Sequence, residues 1–228
     1  MTTSTPAGTA KPLAFDLAGT GEKLLLADFD VVVAGYTGRD EQSVKRHIDE
    51  LAAIGVPPPD SVPAFYELDA SLATQERQVP VAGSNTSGEV EPVLVRSSGR
   101  LYLTVGSDHT DRDIERSSVA DSKAACPKPL STTLVALGEA RPLDWDAIEA
   151  RCTVDGVVYQ QGSLSALRIP TDVLNLYEAY RGSSDRDLVM YCGTLPLIDG
   201  QFVAGRDWTL SLALPGGVRI DHAYSVLG

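Results

Sequence analysis

The chain has 228 residues, of which 43% are apolar, and a formal charge of −12. That length and apolar share suffice for one β-rich domain with a sizeable core, and the acidity disfavours nucleic acid or an anionic membrane surface as a partner. Cys126, Cys152 and Cys192 are odd in number and widely spaced, which suits reduced packing residues better than a disulfide framework or a zinc site. No segment is long and apolar enough to span a bilayer, and MTTSTPAGTAKP lacks the apolar stretch of a signal peptide, so the cytoplasm is the expected compartment.

In chain order, residues 1–12 are small, polar and proline-containing, and are expected to be a disordered tail. LAFDLAGTGEKLLLADFD reads as a hairpin turning near Gly19-Thr20-Gly21. VVVAGYTG follows as a buried strand ending in a glycine-containing turn. The next helix has Asp40 as N-cap, Val44, Ile48 and Leu51 as its apolar stripe, and Gly55 to end it. His47 and Glu50 lie three apart on that helix, a spacing that lets a carboxylate orient an imidazole as a general base. Read from the residues alone, the pair is more simply an ordinary charged shoulder beside Lys45, Arg46 and Asp49.

The chain is organised around Thr86 to Glu115. Two β-rich runs, Glu89–Arg96 and Leu101–Ser107, flank a Ser-Ser-Gly turn. With Ser98 and Gly99 as a two-residue loop, Ser97 faces Arg100, and the same register puts Glu89 opposite Asp108 and Glu91 opposite Gly106. Glu89 and Glu91 share a face because side chains alternate along a strand. That face continues as Val93, Val95, Tyr102 and Thr104, and the other carries Val90, Leu94, Leu103 and Val105. A hairpin apolar on both faces is expected to be buried on both. Three acids at its buried end must protonate or hold a cation. Oxygen ligands suit a hard ion, Mg²⁺ first, with Mn²⁺ or Ca²⁺ behind it. A solvated strand end whose acids never meet is the plainer alternative.

Beyond the hairpin, His109 and Thr110 lead into a helix expected from Asp111 to about Ala125. His109 points away from Asp108 in an alternating strand end and is read as structural or supporting. Strands are expected in STTLVALGEA, VVYQQGSLSAL and LVMYCGT, a short helical piece after Asp144, and a helix opened by Pro170. DWTLSLALPGGVRIDHAYSV closes the chain as a hairpin, with His222 at a strand end.

Glu-x-Glu followed by SDHTDRDIE resembles the fumarylacetoacetate hydrolase superfamily, in which a Glu-x-Glu pair and a later Asp bind Mg²⁺. GYTGRDEQSVKRHIDEL is similar to that superfamily's N-terminal His-x-x-Glu segment, and CGTLPL to its Gly-Thr-Pro turn. More narrowly, GYTGRD, SGEVE, SDHTDR and SKAACPKP resemble the bacterial DUF2848 branch over most of residues 30–226.

The resemblance implies an α+β, β-rich fold, a mixed-sheet roll of the superfamily's C-terminal-domain type with few peripheral helices. It implies one catalytic domain over residues 13–228, working as a homodimer on a small anionic 2-oxo acid or diketone. Glu89, Glu91 and Asp108 become the metal ligands, and His47 with Glu50 the water-activating pair. Lys123, with Lys128 as its alternative, and Thr194 become further catalytic groups. Tyr36 and Arg112 become substrate contacts, Arg112 otherwise holding local carboxylates, while Arg96, Arg100 and Arg168 are further candidates to meet an anion. Glu115 stands where the family commonly has Gln. The implied reaction is Mg²⁺-dependent C–C bond hydrolysis in a 2,4-dioxo acid or acylpyruvate-like β-diketone, through a metal-bound enolate. Decarboxylation, hydration or isomerisation of a 2-oxo acid fits the same site, and a non-catalytic, metal-stabilised binding protein is the alternative from another class.

Overall fold

A computed structural model describes residues 10–53, 55–138 and 142–228, apart from the side chains of His47, Glu50 and Leu51. Strand outweighs helix among the described residues, and most of the strands lie in two large curled sheets. The eight-stranded sheet runs Lys23–Leu26, Leu13–Leu17, Thr133–Ala136, Arg100–Ser107, Val90–Ser97, Asp187–Tyr191, Phe29–Gly35, Ala64–Leu68. It is mixed: Asp187–Tyr191 pairs parallel with Phe29–Gly35, Thr133–Ala136 pairs parallel with Leu13–Leu17, and the other neighbours are antiparallel. The five-stranded sheet runs Val157–Ser163, Glu149–Val154, Asp207–Ala213, Arg219–Leu227, Gln78–Pro80. This is the mixed β-rich α+β architecture expected from the sequence.

The core lies on both faces of the Val90–Ser107 hairpin. Val90, Leu103 and Val105 pack against Ile148, Trp208, Leu212 and Tyr224 of the five-stranded side. Val93, Val95 and Tyr102 face Phe15, Phe29, Val31 and Tyr191 inside the roll. Leu94 meets Val173, Leu174 and Tyr177 of the Pro170–Arg181 helix. Burying apolar side chains of this size contributes about 1.5–3 kcal/mol each, so the hairpin is fixed from both sides.

The first hairpin, the buried Phe29–Gly35 strand and the Glu41–Ala53 helix form where their patterns predict. Asp40 accepts from the Gln42 N–H at 3.0 Å and from the Ser43 hydroxyl at 2.6 Å. Of the expected tail, residues 1–9 lie outside the described residues, whereas Ala10 packs on the core and Lys11 pairs with Glu76.

Two expectations are corrected. The helix expected over 111–125 is two short helices, Arg112–Glu115 and Val119–Ala124. Ser117 donates its hydroxyl to the Ile114 carbonyl at 2.9 Å, and Ser118 caps the second helix by accepting from Asp121 N–H at 3.1 Å. Such local side-chain bonds compete with helix continuation. His222 lies inside the Arg219–Leu227 strand, opposite Leu210, rather than at its end. Among the described residues no helix is long and apolar enough to cross a membrane.

Candidate metal centre

The turn at Ser98-Gly99 has positive φ at both residues, 50° and 74°, the signature of the two-residue loops whose twist matches their strands. It sets Ser97 opposite Arg100 and carries the register to Glu91 opposite Gly106 and Val90 opposite Ser107. Beyond the last pair, Asp108 N–H donates to the Glu89 carbonyl at 3.2 Å. Ligand oxygens of Glu89, Glu91 and Asp108, all buried, lie within 4.8 Å of one another. Gly106 makes room opposite Glu91: a Cβ there would stand 2.6 Å from the Tyr191 ring and 2.9 Å from the Pro129 carbonyl.

Two lysines meet the same aspartate. Lys123 donates to Asp108 Oδ2 in a short contact, and Lys128 Nζ lies 3.2 Å from Oδ1. Lys128 is wholly buried and donates to the carbonyls of His109 at 2.5 Å and Cys126 at 3.1 Å. The sequence sets these lysines against each other; the fold uses both. Burial would raise the Asp108 carboxyl, but the lysines outweigh it and pull it down to about 2. Burial also pushes Lys128 below its ordinary value, while Lys123, equally desolvated, is raised by Asp108, Glu89 and Glu91. Glu91 is pushed well above the usual carboxylate range by burial and then by Asp108. Glu89 is raised by burial against the pull of Arg112.

These residues fit a divalent cation. Asp108 Oδ1 is buried with no aligned hydrogen-bond donor, and a cation would offset the burial and the repulsion by Asp108 that raise Glu91. Gly193 N–H donates to Glu91 Oε2 at 2.8 Å and orients that carboxylate, while the Glu89 backbone N–H donates to Ser107 Oγ at 3.1 Å and fixes the strand end.

Arg112 is enclosed. Its Nε donates to Ser87 Oγ at 2.7 Å and one terminal nitrogen to Glu115 Oε2 at 2.9 Å. The other lies 2.9 Å from Glu89 Oε1 as a charge contact without hydrogen-bond alignment. The Phe202 ring covers the guanidinium face at 3.7 Å. Arg112 therefore holds local carboxylates, one of the two roles its motif allows. Arg96 pairs with Glu178 and Arg168 with Glu41, while Arg100 is exposed at the far, turn end of the hairpin.

His109 is buried and bonded at both ring nitrogens. Its Nδ1 meets Tyr224 Oη and its Nε2 meets Thr86 Oγ1, each at 2.9 Å. Burial, then Lys128 and Arg112, lower its pKa to about 3, so it is neutral. The Thr194 hydroxyl donates to the Val90 carbonyl at 2.9 Å and accepts from Gln160 at 2.8 Å. Tyr36 sits at the left-handed φ of 58° at the foot of the Glu41–Ala53 helix. Burial raises its hydroxyl pKa, with Lys123 and Glu115 also acting on it. His47 and Glu50 are on that helix, and their side chains lie outside the described residues.

Sequence reasoning missed Tyr66, Phe202 and Gly193. Lys123 Nζ lies 5.6 Å from the Tyr66 ring centroid, and the Tyr66 hydroxyl is raised to about 12 by burial and by Tyr36. The strand alternation of AFYEL was a signal for Tyr66; Phe202, in a loop, had none.

The curled mixed-sheet roll is the fold seen in solved proteins of the fumarylacetoacetate hydrolase type. Fumarylpyruvate hydrolase from Pseudomonas aeruginosa, solved with Mn²⁺ and pyruvate, superposes with a TM-score of 0.63 at 17% identity over 95% of this chain and 96% of the other. 5-Carboxymethyl-2-hydroxymuconate delta-isomerase from Mycobacterium smegmatis gives 0.58 at 17% identity, covering 92% and 87%. A candidate fumarylacetoacetate isomerase/hydrolase from Oleispira antarctica gives 0.64 at 18% identity, covering 93% and 99%. The chain belongs to the DUF2848 family, described as a protein of unknown function, whose profile matches residues 34–224. No curated protein matches it in sequence.

Proposed function

We propose that this protein is a divalent-metal-dependent hydrolase that cleaves a carbon–carbon bond in a 2,4-dioxo acid of the acylpyruvate type. The carrying observation is the buried triad of Glu89, Glu91 and Asp108 within 4.8 Å, with the Lys123 ammonium on Asp108. The solved fumarylpyruvate hydrolase with Mn²⁺ and pyruvate supports the substrate class and the choice of a hard divalent ion, Mg²⁺ first, with Mn²⁺ or Ca²⁺ compatible.

The three carboxylates would hold the cation, which supplies Lewis acidity to substrate oxygens. Arg112 and the Gly193 N–H keep Glu89 and Glu91 turned inward. His47, oriented by Glu50, takes a proton from water so that it can attack the distal carbonyl. Lys123 stabilises negative charge on the departing enol fragment. Thr194 acts by position, because its hydroxyl hydrogen is committed to the Val90 carbonyl. Tyr66 stands beside Lys123, with Nζ 5.6 Å from its ring centroid, and burial raises the hydroxyl pKa of both Tyr66 and Tyr36. One domain, a homodimer and a cytoplasmic setting complete the reading, and light scattering tests the dimer.

Proton NMR of a short acylpyruvate in D₂O, with protein and Mg²⁺ against an EDTA control, tests the chemistry. Metal-dependent appearance of pyruvate and the free acid supports it. Deuterium uptake at C3 without cleavage would move the site to isomerase or hydratase chemistry, and no change in either sample overturns the substrate class. His47→Ala should keep cation affinity and lose about 10²–10⁴-fold in turnover; unchanged turnover would remove His47 as the base and favour a binding protein.

A further inference from the structure

The strand that carries Glu91 loses its outer neighbour just where the carboxylates begin. Asp187–Tyr191 pairs with it from Arg96 to Val93, and Cys192 N–H still reaches the Pro92 carbonyl at 3.1 Å. Gly193 then turns away with φ of 101°. Pairs in an antiparallel hairpin alternate between bonded and unbonded. Asp108 N–H bonds to the Glu89 carbonyl, so the next pair, Val90 with Ser107, is an unbonded one. Val90, between the two glutamates, therefore points its N–H and carbonyl outward, toward a strand that has ended. Left bare, each would carry the penalty of a buried unpaired backbone group.

A side chain from the five-stranded sheet fills the gap. Gln160 lies on the Val157–Ser163 strand and is wholly buried. Its Oε1 accepts from Val90 N–H at 2.9 Å, and its Nε2 donates to Thr194 Oγ1 at 2.8 Å and to the Leu195 carbonyl at 2.6 Å. The Thr194 hydroxyl in turn donates to the Val90 carbonyl at 2.9 Å. These partners fix which way the amide faces, because a backbone N–H only donates and a carbonyl only accepts. Val90, Gln160 and Thr194 thus close a ring of three hydrogen bonds with every direction determined. A β-bulge aims the side chain into it. Cys152 pairs with Gln160 but Thr153 with Val158, so Tyr159 is the extra residue, and Tyr159 and Gln160 are both buried where strict alternation would expose one of them.

The ring sits behind the carboxylates. Val90 joins Glu89 to Glu91, and Gly193, next to Thr194, donates to Glu91 Oε2 at 2.8 Å. Gln160 bonds to neither carboxylate and acts on them through the backbone between them. Resting on the cation site proposed above, we propose that Gln160 is a positioning residue of that site. With Thr194 it holds the Glu89-Val90-Glu91 backbone against the Gly193-Thr194-Leu195 turn, and so sets the spacing at which two carboxylates meet a cation. Groups that orient metal ligands from behind are worth about 10–100-fold in metal affinity.

The test is titration with Mn²⁺, the free ion being read by its electron paramagnetic resonance signal, which reports affinity and the number of sites separately. Gln160→Met fills similar space without hydrogen bonds and should bind the ion about 10–100-fold more weakly than wild type, with the number of sites unchanged. Thr194→Val breaks the same ring at its next link and should weaken binding over the same range. The double variant should lose less than the two single losses multiplied together. Leu174→Ala, a core truncation in the Pro170–Arg181 helix with no link to the ring, should melt lower yet keep wild-type affinity. A merely structural Gln160 would behave as Leu174 does, with fewer competent molecules at unchanged affinity. Wild-type affinity in Gln160→Met, with or without a loss of sites, overturns the proposal; where that variant does not fold, wild-type affinity in Thr194→Val does so. If wild type binds Mn²⁺ and the ring variants match it, this inference fails alone. If wild type binds no Mn²⁺, the cation site and the proposed function fall and take this inference with them.

Discussion

Glu91→Gln separates repulsion from ligation. Two carboxylate charges within 4.8 Å of each other repel by about 3 kcal/mol or more at an effective dielectric near 20. Lys123 and Lys128 already offset Asp108, and burial and Asp108 push Glu91 toward its neutral form, so the gain should be smaller, about 1–2 kcal/mol. The amide oxygen can still accept from Gly193 N–H, so the swap leaves that donor satisfied. In the metal-free protein at pH 8, Glu91→Gln should melt about 4 °C above wild type for a chain of this length. Saturating Mg²⁺ should raise the wild-type Tm and leave the variant almost unmoved, so the order of the two proteins reverses. Differential scanning fluorimetry with and without Mg²⁺ reads both effects. An equal Mg²⁺ shift in both proteins refutes the triad as the site, and a destabilised metal-free variant refutes the repulsion argument.

Other consequences follow from the same geometry. Gly106→Ala would drive a methyl group into the Tyr191 ring and the Pro129 carbonyl; urea unfolding should show a loss of about 1–3 kcal/mol. Because Glu91 is raised in the folded protein by burial and by Asp108, its contribution to metal-free stability is complete below the ordinary carboxylate value and is lost as pH rises through the raised one. Cation binding must displace that proton, so Mg²⁺ affinity should rise with pH over that range. Titration in buffers of different ionisation enthalpy should detect the released proton; affinity independent of pH without proton release would be the contrary result. Lys128→Met strands two carbonyls and half of the Asp108 charge in the core, and should cost about 3 kcal/mol in chemical denaturation. Lys123→Met also removes a partner of buried Asp108 and should cost stability too, but assayed where it is folded it should lose a further factor of about 10²–10⁴ in turnover, which Lys128→Met should not.

The sequence discloses the carboxylate hairpin because its causes are local. Ser98 and Gly99 accept the positive φ the turn demands, and once Ser97 faces Arg100 every later pair follows. The double burial of Val90–Ser97 was legible for the same reason, since both strand faces are apolar. Legibility ends where contacts span distant segments. Lys123 and Lys128 compete when position is counted along the chain, whereas a Cys126-Pro127 bend brings both onto Asp108. Nothing near Glu91 says that the N–H of Gly193, 102 residues along the chain, aims its carboxylate. The break at Ser117-Ser118 hides for a different reason: hydroxyls tolerated in a helix can also end one, and only the competing bonds decide.

Gly193 has φ of 101°, and a Cβ there would stand 1.6 Å from the Thr37 hydroxyl. Thr37 belongs to the short run that leads into the Glu41–Ala53 helix, while the N–H of the same glycine grips Glu91. A proposed metal ligand and the root of the helix carrying His47 thus rest on opposite sides of one residue, like two levers on a single pivot. Anyone regrafting that helix to change what the protein acts on would have to keep the Thr37–Gly193 contact, or detune the cation site along with it.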